Sequence, residues 1–131
     1  MKKLLKIVLA SGLMLSFFSC YYDDVLDVQL PEDQNPEPLP EVVSYQSDIQ
    51  PIFDASCIQC HSGSTAPDLR DGDSYTALLN GYVVPNDAAS STLYKSLLNL
   101  DGVPQMPPAS PLSDSKIALI EKWINDGALD N

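Results

Sequence analysis

The chain has 131 residues, which is enough for one small domain with flanking segments. It carries 18 acidic and 7 basic residues, so its formal net charge at neutral pH is −11. This balance argues against binding the phosphates of nucleic acids, or an anionic lipid surface, through charge. Partner proteins are expected to present basic or neutral surfaces where they touch it.

The N-terminus has the form of an export signal. Three lysines lie among the first six residues, and a mostly apolar stretch over residues 7–18 follows them. That stretch is shorter than the roughly 20 apolar residues of a membrane-spanning helix. It ends at Cys20, and the junction resembles the cleavage site of bacterial lipoproteins, in the looser form of Bacteroidetes-type bacteria. We predict a signal peptide over residues 1–19 and lipidation of Cys20; a plain signal with an incidental cysteine is the alternative.

Residues 20–43 form the next segment, which is rich in proline and acidic residues and contains no glycine. Such a composition cannot bury a core and favours extended conformations. We interpret it as a tether between a lipid anchor and a globular domain over residues 44–131. The protein would then be periplasmic or on the cell surface, held to a bacterial membrane by the lipid alone.

Four short helices and no convincing strand are predicted in the globular part, so its fold class is all-α with long loops. Serine caps and glycine stops define most of the helix ends. The first helix leads towards residue 57 and is predicted to begin at a Ser47 cap, or at Gln50 with Pro51 in the first position. The other three are predicted from a Ser74 cap to Asn80, from a Ser90 or Ser91 cap to Leu98, and from Ser113 to about Asp126.

The sequence Cys57-Ile58-Gln59-Cys60-His61 follows the first helix and is the attachment signature of a c-type haem. Two thiols about one helical turn apart can add to the two vinyl groups of one porphyrin, and the adjacent imidazole can bind its iron. Three cysteines do not make a simple disulfide framework, and lipidation accounts for the third. One covalent haem c is therefore predicted. The domain is small enough to need such a covalently bound group for its stability.

Outside the export signal, the sequence contains one histidine, His61, and one methionine, Met106. Electron-transfer haems commonly take a histidine and a methionine as axial ligands. Met106 precedes Pro107 and Pro108, which restrict the backbone on one side. We predict that His61 and Met106 bind the iron and that the protein carries electrons and is not an enzyme; Met106 as a filler of the core is the alternative.

These motifs together resemble a small bacterial monohaem c-type cytochrome domain. Beside the cysteine motif and the Met106-Pro107-Pro108 loop, the chain has Trp123-Ile124-Asn125-Asp126-Gly127-Ala128 near its end. The resemblance covers residues 45–131. It implies that the first helix packs against the last one and that one edge of the haem is exposed.

The resemblance also implies supporting roles around the haem. The carbonyl of Pro67 is expected to accept a hydrogen bond from His61, which fixes the imidazole. Leu69 is expected to pack on the haem. Arg70 and Trp123 are candidate partners of haem propionates, with a solvated surface role for Arg70 and a core role for Trp123 as alternatives.

Four other interpretations of the motif remain open from the sequence. Cys57 and Cys60 could form a thioredoxin-like redox pair, although that fold needs a βαβ pattern that the sequence lacks. The same thiols with His61 could bind zinc, but a fourth ligand is missing. A haem with an open iron position would make a ligand sensor or a peroxidase-like module. The domain could also be a redox subunit that docks into a larger surface complex.

Overall fold

A computed structural model describes residues 38–131; the export signal, Cys20 and most of the tether lie outside the described residues. The elements, in chain order, are a π-helical turn (Tyr45–Ile49), α1 (Gln50–Ser56), α2 (Ser74–Leu79), α3 (Thr92–Leu98) and α4 (Asp114–Asn125). No strand occurs among the described residues, and the all-α fold class is confirmed. Within residues 38–131, no helix has both the length and the apolar character needed to cross a membrane.

The first helical segment starts earlier than predicted, because the π turn precedes α1. Ser44 is its N-cap, and the side-chain oxygen of Ser44 accepts a hydrogen bond from the Ser47 N–H at 3.3 Å. The carboxylate of Asp48 accepts in return from the Ser44 N–H at 2.8 Å, which gives a reciprocal cap. The predicted cap Ser47 is therefore wrong, and Gln50 is the first residue of α1 rather than its cap. Pro51 lies in the first turn of α1, where its missing N–H costs least.

The other helix ends lie within about one residue of their predicted positions. Asp73, rather than Ser74, occupies the cap position of α2, because the Ser74 hydroxyl is buried and donates to the side chain of Gln50 at 2.5 Å. Ser91 precedes α3, as one of the two predicted options, and Ser113 precedes α4 as predicted.

The first and last helical segments pack against each other through aromatic rings, as the resemblance implied. The rings of Tyr45 and Trp123 are 5.1 Å apart between centroids, and both side chains are buried. Tyr75 meets Tyr45 edge-on at 5.2 Å, and Phe53 of α1 lies on the same cluster. Such aromatic pairs contribute about 0.5–1.5 kcal/mol each beyond the area they bury.

Asn131 fastens the segment after α4 to the π turn. Its side-chain oxygen accepts from the Tyr45 N–H at 2.9 Å, and its main-chain oxygen accepts from the Gln46 N–H at 3.1 Å. The hydroxyl of Ser44 donates to the same main-chain oxygen at 2.8 Å. The first backbone N–H groups of a helical segment have no partner within it, and Asn131 supplies acceptors for two of them.

Candidate cofactor site

The cysteine motif continues the helical backbone beyond α1. The N–H of Cys57 donates to the carbonyl of Phe53 at 2.8 Å, and the N–H groups of Cys60 and His61 donate to the carbonyl of Cys57 at 3.1 and 3.0 Å. The second thiol and the imidazole therefore follow the first thiol within one turn, as the haem signature requires.

Both thiols of the motif are free to form covalent bonds. The Cys60 side chain is exposed, whereas Cys57 is partly buried and packs on the core. Burial raises the pKa of Cys57 to about 11, so this thiol is protonated at neutral pH.

The ring of His61 is held through its Nδ1 atom, which lies 3.0 Å from the carbonyl oxygen of Pro67. A carbonyl only accepts hydrogen bonds, so this contact requires the proton on Nδ1 and leaves the lone pair on Nε2 for a metal. The N–H of Leu69 donates to the carbonyl of His61 at 2.8 Å. The end of the loop over residues 61–69 is thus hydrogen-bonded to both the side chain and the main chain of His61.

An apolar cavity of about 210 Å³ lies beside this loop and is open to solvent on one side. Six of the eight predicted cofactor-binding residues line it: Cys57, Cys60, His61, Pro67, Leu69 and Met106. The cavity thus brings together two thiols, an imidazole and a thioether from segments that are up to 49 residues apart in the sequence. Its walls suit a flat apolar cofactor better than a bare ion.

Several apolar residues of the walls were missed by sequence reasoning. They come from α2, from α3 and from the segment before α4: Leu78, Leu93, Leu97 and Leu112. Helical spacing marks such positions as inward-facing, but it does not separate a residue of the core from one that lines a cofactor cavity.

Arg70 does not line the cavity and is bound to acidic neighbours. Its guanidinium makes a two-pronged hydrogen bond to Asp68 and lies 3.4 Å from a carboxylate oxygen of Asp73. It also covers Gly63, where an added Cβ would come within 2.9 Å of an Arg70 nitrogen. Arg70 therefore braces the 61–69 loop, and its role towards a propionate stays a prediction.

Trp123 also lies away from the cavity. Its indole N–H donates to the carbonyl of Leu129 at 2.9 Å, and the side chain is 1% exposed. The donor expected for a propionate is therefore used within the domain, and Trp123 has the core role that was its alternative.

The donor set discriminates between the interpretations of the motif. Within residues 38–131, no group of three or more His, Cys, Asp or Glu side chains could hold a metal ion, which disfavours zinc. The same residues contain no βαβ unit for a thioredoxin-like pair. Two free thiols, an oriented imidazole, a thioether and apolar walls fit a covalently attached haem.

Comparison with protein families agrees with this fit. Residues 57–110 match the family model described as Planctomycete cytochrome C, a span that begins at Cys57 and includes Met106. The match covers a little under half of the chain. The comparisons with curated proteins and with solved structures gave no match. The family match supports a c-type cytochrome domain in this part of the chain, with a haem as its cofactor and electron transfer as its role.

Proposed function

We propose that the protein is a single-electron carrier with one covalent haem c. Cys57 and Cys60 would hold the haem through thioether bonds, and His61 and Met106 would be its two axial ligands. The observation that carries the proposal is that these four side chains line one apolar cavity. When bound, the haem supplies an iron centre that cycles between two oxidation states, at a potential raised by methionine.

The residues of the chain supply orientation and shielding. The Pro67 carbonyl holds the tautomer of His61 and increases the basicity of its free nitrogen. The leucines of the walls, such as Leu78 and Leu97, would keep water away from a haem bound in the cavity. Exclusion of water favours the less charged oxidation state, so these residues act on the reduction potential as well as on stability.

The surface charge favours basic or neutral partner proteins. The described residues carry four basic side chains, and three of them pair with aspartates. The unpaired acidic side chains therefore dominate the field that an approaching protein meets. In the same proposal, lipidated Cys20 tethers the domain outside the cytoplasm, and the protein passes electrons without catalysing a reaction of its own.

Replacement of Met106 tests the proposal most simply. In the oxidised holoprotein, we expect Met106→Ala to abolish the weak long-wavelength band of a thioether–iron bond and to lower the reduction potential. Leu100→Ala is the matched control, because Leu100 is exposed in the same loop and does not line the cavity. An unchanged spectrum in Met106→Ala would remove Met106 from the ligand set. It would favour the ligand sensor or peroxidase-like alternative, in which one iron position is open.

A further inference from the structure

The C-terminal end of α3 holds the segment that contains Met106. Asn99 ends the helix in a left-handed conformation with φ 54, and the N–H groups of Asn99 and Leu100 both donate to the carbonyl of Lys95. The next two carbonyls, of Ser96 and Leu97, have no donor within the helix, as is usual in a last turn.

Two hydrogen-bond donors from adjacent residues bind these two carbonyls. The N–H of Met106 donates to the carbonyl of Ser96 at 2.9 Å, and the side-chain amide of Gln105 donates to the carbonyl of Leu97, also at 2.9 Å. The loop over residues 99–106 therefore begins and ends at the same helix end. An ion pair of 3.1 Å between Lys95 of α3 and Asp101 also links the first half of this loop to the helix.

The sequence around Met106 offers few other donors for this attachment. Pro104 on one side and Pro107 and Pro108 on the other have no backbone N–H. The side chain of Met106 is 38% exposed at the cavity. The attachment of Met106 to α3 thus depends on its own N–H and on the amide of Gln105.

We propose that Gln105 is a positioning residue for Met106: its side-chain amide fixes the peptide before Met106 on the end of α3 and so keeps the thioether in the cavity. This inference rests on the proposed function, in which Met106 is an iron ligand. Loss of one such hydrogen bond raises the population of the state in which the loop is open by about fivefold. An added ligand for the iron binds only that open state, so its apparent affinity rises by the same factor.

The test is a titration of the oxidised full-length holoprotein with imidazole, which competes with Met106 for the iron. We expect Gln105→Leu to lower the apparent dissociation constant of imidazole about fivefold. Gln105→Glu should do the same, because a carboxylate cannot donate to a carbonyl. Gln105→Arg retains a donor and should remain close to the unaltered protein. Gln46→Leu is the control, because Gln46 is exposed and its side chain has no hydrogen bond within the described residues.

Hydrogen exchange of the Met106 amide gives a second measurement that does not depend on the iron. We expect it to be faster in both variants that lack the donor. A purely structural role would lower the denaturation midpoint and leave the imidazole affinity unchanged. Unchanged imidazole affinity in Gln105→Leu or Gln105→Glu, with Met106 still bound to the iron, would overturn the role of Gln105 alone. An unaltered spectrum in Met106→Ala would overturn the ligand assignment and, with it, this inference.

Discussion

At the scale of single residues, a buried polar chain supports the loop that carries His61. The hydroxyl of Tyr45 donates to Ser74 at 2.6 Å, Ser74 donates to Gln50, and the amide of Gln50 donates to the carbonyl of Leu69 at 3.0 Å. Leu69 in turn donates its N–H to the carbonyl of His61. An unpaired buried polar group costs free energy. Loss of any one of these hydrogen bonds therefore leaves its neighbours unpaired and weakens the support of the loop.

Replacement of Gln50 should therefore be strongly destabilising. Gln50→Leu leaves the Ser74 hydroxyl and the Leu69 carbonyl without their buried partners, so we expect the free energy of unfolding to fall by about 2–4 kcal/mol. Urea denaturation of the holoprotein measures this change. Gln46→Leu, at an exposed position one turn earlier, should change stability by less than about 0.5 kcal/mol. Equal effects of the two substitutions would show that the buried hydrogen bonds of Gln50 add nothing to the free energy of unfolding.

Ionisation of Tyr45, the first member of these hydrogen bonds, makes the free energy of unfolding depend on pH. Burial is the main cause that raises the pKa of Tyr45 to about 12, above its ordinary value of 10.0. Tyrosine ionises at lower pH in the unfolded chain, so its contribution to stability is complete below pH 10 and is lost as the pH rises towards 12. We expect Tyr45→Phe to flatten the fall in stability over that range in denaturation experiments. A fall of the same steepness in both proteins would assign it to other groups.

The sequence predicted the site residues unevenly, for local reasons. The contact between His61 and the Pro67 carbonyl was expected from the resemblance and is present. The propionate roles of Arg70 and Trp123 were expected in the same way, but nearer partners occupy both side chains. The acidic neighbours of Arg70 can be seen in the sequence. The partner of Trp123 could not be predicted, because it depends on how the chain reverses after α4.

At the scale of elements, three of the four helices were predicted within about one residue because Ser91 and Ser113 precede α3 and α4, and glycines follow α2 and α4. The first was displaced because helical spacing does not reveal a wider π turn, and its cap lies three residues before the expected Ser47. The cavity walls formed by α2 and α3 were missed for a different reason. An amphipathic helix shows the same pattern whether it faces a core or a cofactor.

Contact between the first and last helical segments depends in part on Asn131. Asn131→Ala removes the side-chain acceptor of the Tyr45 N–H, so we expect a loss of about 1 kcal/mol in the free energy of unfolding. Asp130→Ala is the control, because Asp130 is exposed and its side chain makes no hydrogen bond within the described part. A loss in Asp130→Ala as large as that in Asn131→Ala would mean that removal of any side chain near this end has the same effect.

At the scale of the whole molecule, the described domain combines a hydrophobic core with an open apolar cavity. Small domains bury little apolar surface, and many add a covalent or metal staple to reach stability. Here the aromatic cluster of Tyr45 and Trp123 belongs to the core, and Phe53 both contacts Tyr45 and lines the cavity. A haem held by Cys57 and Cys60 would complete the packing as well as supply the redox centre.

The proposed tether has a separate test at the same scale. Cys20→Ser should move the protein from the membrane fraction to the soluble extracytoplasmic fraction without altering its haem spectrum. Mass spectrometry of the native N-terminus should find acyl groups on Cys20. An unmodified N-terminus after a plain cleavage, or a Cys20→Ser protein that stays with the membrane, would contradict lipid anchoring and leave the cofactor proposal untouched.

The central claim is that this domain carries one c-type haem on Cys57 and Cys60. The most direct measurement is the pyridine haemochrome spectrum of the full chain, produced together with the machinery that attaches haem to cytochromes. We predict the spectrum of a haem bound through two thioethers, at one haem per chain, and its loss in a Cys57→Ser, Cys60→Ser double variant. A folded product without covalent haem under these conditions would contradict the account.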